Sequence, residues 1–565
     1  MNKIMNYNAF AAVILFCLNI ELQAQTKARF MNVDSLAGIN HQFEVYEGFL
    51  GGGACIFDLN NDGYEDIFLT GGMGTDRLYL NLGNGTFKDI YEGSGLKVTA
   101  KYVTQGVASA DVNRDGFTDL FITTNTRKGE KLTIPRAENL LFLNNGDNTF
   151  TDATKAFGLS DFMSFSTGVA FGDVNKDGYP DAYIGNYFYE YSGPLNEIND
   201  QTIVNASSVA HGYLLINERG KKFVNLYEKY GLNHKGFGFG GVFTDFDNDG
   251  DQDLLVNHDF GYKATPNYLL QNMYPEPHFK YVEEERGMDL RINAMTSAVG
   301  DYNNDGLLDY FTTNIKFNQF MVNHGDRFTD MADSLGTKLF TISWGANFCD
   351  FDQDGDLDLF VANGDLNPNC TPMYNYFFEQ SDGKYTEVAG LIGMNDYGIG
   401  RGSVIFDYDN DGDQDLLLVN QKPVSNYPVP SVSHLYRNDS TIGNWLKVKL
   451  KGGYSETNGI GSRVTVFVGR KSHIREIDGG GSSHLSQSST TAHIGLGAFA
   501  AADSVVVSWP SGERTVIKDV TANQTLVVQE EKQMDLNTAS EFKSWYVLLG
   551  IFVTGLVSYY IYSKR

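Results

Sequence analysis

The sequence predicts an all-β protein. A nine-residue acidic element recurs seven times, beginning at Asp58, Asp111, Asp173, Asp245, Asp301, Asp350 and Asp407, with successive starts 53, 62, 72, 56, 49 and 57 residues apart. That interval suits one four-stranded propeller blade with loops of variable length. Each copy follows a small glycine-rich apolar segment (GGGACIF, GVASA, GSVIF) and precedes an apolar run (DIFLT, DLFIT, DLLLV), so it reads as the connection between two buried strands. Glycine is abundant at 61 residues while proline is scarce at 12, which fits many tight turns and no Pro-rich coil.

A second element supports closure of the array. An aromatic residue followed eight positions later by glycine comes after each of the first six loops: Phe87/Gly95, Phe150/Gly158, Phe223/Gly231, Phe279/Gly287, Phe328/Gly336 and Tyr385/Gly393. The seventh loop has no such follower, but Phe30/Gly38 stands before the first. The expected architecture is a seven-bladed β-propeller whose N-terminal strand completes the last blade and removes the open sheet edges. A small β-rich domain and a single C-terminal transmembrane helix follow it.

The domains expected are a signal peptide at 1–24, the propeller at 25–443, a β domain at 444–530, a polar linker at 531–544, a transmembrane helix at 545–562 and a short basic tail at 563–565. The signal is read from Lys3, the apolar run Ala9–Ile20 and the small residue Ala24. The stretch from Trp545 to Tyr562 has no charge, carries aromatic residues at both ends and precedes Lys564 and Arg565, as a single-pass anchor would with the bulk of the chain outside the cytoplasm. Cys55, Cys349 and Cys370 are too few for a disulfide framework and are read as small core residues, with a Cys349–Cys370 bridge left open.

The acidic loops follow D-x-[D/N]-x-D-G-x-x-D, with oxygen ligands at positions 1, 3, 5 and 9 and a backbone carbonyl at 7. The metal-ligand candidates are Asp58, Asn60, Asp62, Tyr64 and Asp66; Asp111, Asn113, Asp115, Phe117 and Asp119; and Asp173, Asn175, Asp177, Tyr179 and Asp181. They continue with Asp245, Asp247, Asp249, Asp251 and Asp253; Asp301, Asn303, Asp305, Leu307 and Asp309; Asp350, Asp352, Asp354, Asp356 and Asp358; and Asp407, Asp409, Asp411, Asp413 and Asp415. Hard oxygen ligands around a wrapped turn suit Ca²⁺, about seven ions at one per blade, and Gly63 and its counterparts at position 6 permit the turn. An EF-hand would need Glu at position 12, where this chain has residues such as Leu69, Ile122 and Val256. Net charge is −27, and 24 aspartates sit at ligand positions. That balance argues against a nucleic-acid partner and links folding to cation binding.

From Asn444 the pattern changes, with strands suggested by WLKVKL, SRVTVFV, SVVVSW and TLVVQ. The loops with their lead-ins resemble the FG-GAP/VCBS repeats of integrin-α-type propellers. The terminal module resembles the ASPIC/UnbV domain through Asn458–Val464, Arg475-Glu476, Leu485-Ser486-Gln487, His493–Gly497, Trp509–Gly512 and Asn523–Leu526. The combination resembles the cartilage acidic protein family and its bacterial relatives. The resemblance implies an exported calcium-binding propeller that acts in adhesion or interaction.

The function expected is therefore a membrane-anchored binding or adhesion scaffold in the cell envelope or at the cell surface. Its partner would be an extracellular or envelope ligand, protein or polysaccharide. The alternative is an envelope enzyme acting on glycans or a small metabolite. Glu190, Glu197, His211, His234 and His258 are the residues that could converge for it, but no nucleophile-base spacing links them and no catalytic constellation is recognisable. Arg463, Arg475, His484 and His493 read either as a solvated face of the module or as a contact with the acidic rim.

Overall fold

The computed structural model describes residues 29–45, 51–126, 133–134, 136–188, 191–192, 209–366, 370–440 and 443–531. Strand makes up 48% and helix 6%, as the all-β expectation requires. The signal peptide, the transmembrane stretch, the basic tail and all of the linker but Glu531 lie outside the described residues. Among the described residues no helix is long and apolar enough to cross a membrane.

The acidic element builds one kind of unit. Its first strand runs into the loop, and its second starts on the aspartate at position 9, as in Ala54–Phe57 and Asp66–Leu69 or Gly400–Phe406 and Asp415–Asn420. The third strand ends on or near an amide side chain, as in Arg77–Asn81, Leu140–Asn144 and His434–Asn438. The short fourth strand opens on the recurring aromatic residue, as in Phe87–Asp89 and Phe328–Asp330. The partner glycine of each pair takes a left-handed conformation, with φ between 75° and 86° from Gly38 to Gly393, and ends a single helical turn at Gly38, Gly287, Gly336 and Gly393. Order within each sheet is sequential and antiparallel. The last sheet takes its outer strand from the other end of the chain, where Phe30–Asn32 pairs with Tyr436–Asn438.

Apolar residues lie between consecutive sheets, and the first and last sheets share such a core. Ala54, Ile56 and Ile67 of the first pack with Val404, Phe406 and Leu417 of the last. Pairing also crosses between units: Ile315–Phe317 extends to pair with Phe340–Ile342 between the fifth and sixth, and Ala137–Glu138 pairs with Met163 and Ser164 between the second and third.

The terminal module holds two sheets around its own core. In one, Asn444–Lys451 lies between Ala492–Gly497 and a parallel Gln524–Gln529; the other orders Lys471–Glu476, Arg463–Val468, Ala501–Ser508 and Arg514–Thr521. The segment linking Glu476 to Ala492 leaves the module and runs among the first strands of the units. Val107 N donates to Leu485 O (3.1 Å), Ile56 N to Gln487 O (3.1 Å), Phe171 N to Gly479 O (2.9 Å) and Thr296 Oγ1 to Gly481 O (3.0 Å). Ser489 N donates to Ile405 O (3.1 Å), and the His484 ring meets Phe239 at 5.7 Å and Trp344 at 5.0 Å. All seven first strands therefore touch this one segment. The glycine-rich lead-ins follow from that approach: a Cβ at Gly53 would overlap the Leu485 carbonyl, and one at Gly106 would lie 3.1 Å from Leu485 Cβ.

The Cys349–Cys370 bridge that the sequence left open does not form, and one expectation needs correction: Cys370 is half-buried in the connection after the second strand of unit six, its Sγ 3.5 Å from Leu366 O, and is not a core residue. Cys55 and Cys349 are buried in strands. In that setting burial pushes the Cys55 thiol up to about 12, leaving it inert at neutral pH.

The N-terminal segment is clasped to the last unit by more than its strand. His434 Nδ1 lies 2.7 Å from Asp34 Oδ2, and its Nε2 lies 3.5 Å from Asp396 Oδ1. Burial alone would lower the pKa of His434, but hydrogen bonds and charge from Asp34 and Asp396 outweigh it and raise the pKa to about 9. A raised histidine pKa stabilises the fold fully below its unfolded value near 6.5, and this is lost as pH rises through about 9. Removing residues 29–39 is expected to uncover the edge of Tyr436–Asn438, seen as a lower melting temperature and oligomers in size-exclusion chromatography. An unchanged monomeric transition would contradict the clasp. In His434→Gln, the fall in melting temperature between pH 6.5 and 9 should flatten relative to the parent chain.

Candidate metal centres in the acidic loops

The seven loops share one hydrogen-bonded frame. In six loops the carboxylate at position 1 accepts the amides of positions 5 and 6, as where Asp62 N and Gly63 N reach Asp58 at 3.0 and 3.1 Å; in the sixth, Asp350 accepts Gly355 N while Asp354 N turns to Asp352. Position 4 takes a left-handed φ near 60° in every loop, at Asn61, Arg114, Lys176, Asn248, Asn304, Gln353 and Asn410. Where it carries an amide it bridges to the glycine carbonyl of the next loop: Asn61 to Gly116, Asn248 to Gly306, Asn304 to Gly355, Gln353 to Gly412 and Asn410 to Gly63.

Position 9 is the most regular feature. One oxygen of Asp66 accepts Leu59 N (2.8 Å) and the other accepts Asn81 N (2.7 Å). Asp119, Asp181, Asp253, Asp309, Asp358 and Asp415 repeat this, each accepting the amide of position 2 and that of the amide residue on the third strand. The side-chain amide of that third-strand residue then donates to the position-2 carbonyl of the preceding unit. Asn144 reaches Leu59 O, Asn217 Val112 O, Asn272 Val174 O, Asn323 Phe246 O, Gln380 Tyr302 O and Asn438 Phe351 O, while Asn81 closes the series on Tyr408 O. These bonds measure 2.7–2.9 Å and are buried.

Sequence reasoning missed the amide residues. Their distance from the position-9 aspartate runs from 14 residues in unit five to 36 in unit three, so no fixed spacing exposed them. The usable signal was their place at the end of an apolar run, as in LYLN, LFLN and LLIN.

The loops differ at position 3. Where it is asparagine, its amide quiets the neighbouring carboxylate: Asn60 donates to Asp62 at 3.0 Å, Asn113 to Asp115 at 2.8 Å and Asn303 to Asp305 at 2.8 Å. Where it is aspartate, carboxylates converge instead. Oxygens of Asp245, Asp247 and Asp253 lie within 4.8 Å of one another, as do those of Asp350, Asp352 and Asp354 and those of Asp407, Asp409 and Asp415. Each group includes a buried oxygen with no hydrogen-bond partner, among them Asp247 Oδ1, Asp350 Oδ1 and Asp409 Oδ1. Clustered carboxylates with unsatisfied oxygens fit a hard cation. Burial raises Asp66 and Asp119 to about 8, against the hydrogen bonds that lower them. The aromatic side chains at position 7 lie over the following hairpin and not in the loop: Tyr64 covers Gly83 and Phe117 covers Gly146.

The module lies on this acidic face, which settles the role of its basic residues. Lys447 Nζ is 2.6 Å from Asp407 Oδ2, Lys449 Nζ is 2.9 Å from Asp58 Oδ2, and Arg463 Nη2 is 3.7 Å from Asp245 Oδ2. His493 Nε2 meets Gly412 O at 2.8 Å, and Gly495 N donates to Asp350 Oδ2 at 3.0 Å. Arg475 is half-buried behind His493, donating to its carbonyl at 3.0 Å.

The histidines suggested for catalysis do converge, on the far side from the module. The rings of His234 and His258 are 5.3 Å apart, and His211 Nδ1 lies 2.9 Å from His234 O. Burial holds His234 well below the ordinary histidine range and His258 at about 4. Tyr281 OH contacts His234 Nδ1 at 2.9 Å and Pro266 O contacts His258 Nδ1 at 2.7 Å, so these are packed, hydrogen-bonded rings. Glu190 and Glu197 lie outside the described residues.

Comparison with known proteins agrees with the repeat and the module. A family model described as FG-GAP-like repeat matches residues 58–122, 128–184, 301–361 and 350–418, and one described as ASPIC and UnbV matches residues 452–535. The chain is an FG-GAP-like repeat protein with an ASPIC and UnbV module. The fourth loop, Asp245–Asp253, falls outside the matched ranges yet keeps the same frame.

Among curated proteins it is related to cartilage acidic protein 1. The Homo sapiens protein is 26% identical over 258 residues, 36% of this chain and 37% of that protein. The Xenopus tropicalis protein is 30% identical over 228 residues, 40% of this chain and 31% of that protein. The chain thus spans about a third of the length of the curated relatives it matches. Remote structural likenesses include an Agrocybe aegerita lectin that recognises non-reducing terminal N-acetylglucosamine, at 15% identity and TM-score 0.36, covering 66% of this chain and 90% of that one. Rhamnogalacturonan lyase YesW shows 12% identity and TM-score 0.33, covering 87% of this chain and 92% of that one.

The frame predicts unequal costs for two substitutions in one site. Asp119→Ala leaves the buried amides of Val112 and Asn144 unpaired and should cost roughly 2–5 kcal/mol, whereas Asn144→Leu, which keeps the backbone bond and adds no charge but loses the donor to Leu59 O, should cost about 1–3 kcal/mol. Urea unfolding of both variants measures the difference. Equal costs near zero would show that the frame carries no stability.

Proposed function

We propose that the chain is an exported interaction scaffold, a seven-bladed β-propeller holding Ca²⁺ in its acidic loops and carrying its ASPIC and UnbV module on the metal-bearing face. The observation that carries this reading is the recurrence of one acidic loop with converging carboxylates and unpartnered buried oxygens. Position 1, 3, 5 and 9 oxygens would hold each ion. A bound ion supplies charge neutralisation, which turns a repulsive acidic turn into a rigid corner. Under this reading Asp245, Asp350 and Asp407 belong to the tighter sites, because aspartate at position 3 adds a charge that asparagine does not.

The sequence of the tail supports a membrane anchor after the module, which leaves the module nearest the bilayer and the opposite face presented outward. Kinship with cartilage acidic protein 1 and the apolar N-terminal run support export. The scaffold reading takes an envelope or extracellular ligand on that outward face.

Metal analysis by inductively coupled plasma mass spectrometry on desalted protein should give close to seven calcium ions per chain. Chelator titration should empty the asparagine-type loops before the three aspartate-type loops, and the melting temperature should fall in step. About 2.7 kcal/mol per site is available at a hundredfold excess of calcium over Kd. A calcium-free chain whose melting ignores chelator would overturn the metal reading.

A further inference from the structure

A cavity of about 120 Å³ lies between the module and the first strands of units four to seven. Its propeller wall is largely apolar, with Val242, Phe243, Ala298, Val299, Phe348 and Ile405, while its module wall sets Ile474 and Ile477 beside Arg475, Ser488, Thr491 and His493. An apolar cavity of about 150 Å³ takes up benzene, so this one has room for a molecule of at most about six non-hydrogen atoms.

Three polar atoms on the lining residues are buried and have no hydrogen-bond partner: Asp350 Oδ1, Arg475 Nη2 and His493 Nδ1. Asp350 belongs to the sixth acidic loop, whose cation would take its free oxygen. The other two sit on neighbouring side chains, because Arg475 Nε donates to the His493 carbonyl at 3.0 Å. Arg475 Nη1 is satisfied by Ile474 O at 2.8 Å, and among the described residues no carboxylate forms an ion pair with this guanidinium. His493 Nε2 faces Gly412 O at 2.8 Å, so the ring proton sits there and Nδ1 is left as an acceptor. The remaining acids of the lining have partners of their own. Glu476 Oε1 accepts Asp245 N at 2.9 Å, and Asp478 accepts Gly480 N at 2.8 Å and the Ser482 hydroxyl. Ser488 Oγ accepts Ile405 N at 3.2 Å and Asn347 Nδ2 at 3.4 Å, which leaves its own proton to give.

We propose that this cavity binds a short aliphatic carboxylate with a hydrogen-bond donor on its α-carbon, a 2-hydroxy acid or an α-amino acid of about three carbons. The carboxylate takes the protons of Arg475 Nη2 and the Ser488 hydroxyl, the α-donor gives its proton to His493 Nδ1, and the carbon chain lies on the apolar wall. Water would satisfy the polar atoms and leave that wall wet, while a plain fatty acid would cover the wall and leave the buried Nδ1 unpaired. The site is separate from the outward face and adds a small-molecule ligand to the interaction scaffold.

Isothermal titration of the full-length protein in detergent and calcium, with racemic lactate, racemic alanine and propionate as probes, tests it. Lactate or alanine should bind at one per chain, and which of them binds tells the hydroxy acid from the amino acid. Propionate lacks the α-donor and should bind at least about tenfold more weakly, the effect of leaving one buried acceptor unpaired. Arg475→Gln should abolish binding and Arg475→Lys, which keeps the charge, should restore part of it, with the melting temperature of each variant reporting its fold. No binding of any probe to the parent chain would show a cavity that holds water only and overturn the proposal. Propionate binding as tightly as the better of lactate and alanine, or undiminished binding in a folded Arg475→Gln, would overturn it too.

Discussion

The structure depends on one buried carboxylate used seven times. At position 9 of each acidic loop an aspartate accepts two backbone amides, one from its own loop and one from the end of the third strand. The residue supplying the second amide then reaches with its side chain into the preceding unit. A single residue pair therefore fixes the turn, pins the third strand to the second and registers one sheet against the next. Each group is buried, so an unmade bond would leave a donor or acceptor without water to replace it. Apolar packing between sheets is non-directional and could not set that register alone.

Electrostatics imposes the second constraint. Aspartates at positions 1, 3 and 5 crowd each turn, and the structure answers in three ways: asparagine at position 3 in some loops, backbone amides on the position-1 carboxylate in all, and cations brought in by the module. Lys447 on Asp407 is nearly fully buried, a pair whose removal from one side would strand a charge. The module is thus an electrostatic counterpart of the acidic face as well as a separate β domain. Its inserted segment, touching every first strand, gives that docking a geometric address that charge alone would not provide.

Much of this was legible in the sequence. The invariant offsets of the loop, the aromatic-to-glycine step and the displaced copy at Phe30 and Gly38 located the strands and the N-terminal pairing, because local geometry demands those residue types at fixed spacing. The module's strands at Asn444, Arg463, Ala501 and Gln524 were visible from their alternation, whereas Lys471–Glu476, with its polar residues, was not. The third-strand amides and the inserted segment escaped notice because their partners lie far away in sequence. Gln487 reaches Ser109 across 378 residues, and nothing in the run GGGSSHLSQSS announces its neighbours. Arg463 and His493 could equally have faced solvent until the acidic loops were seen beneath them. Cys370 was misjudged because residue type was taken as a guide to burial in a connection that is only partly covered.

The central claim is that the position-9 frame behaves as one continuous ring and not as seven independent corners. Hydrogen exchange followed by mass spectrometry or NMR tests it most directly, at the backbone amides of position 2 and of the third-strand amide residues, from Leu59 and Asn81 through Tyr408 and Asn438. The account predicts that all seven pairs rank among the slowest amides and exchange together, only when the whole domain unfolds. Separate, faster exchange of individual pairs while their neighbours stay protected would contradict it.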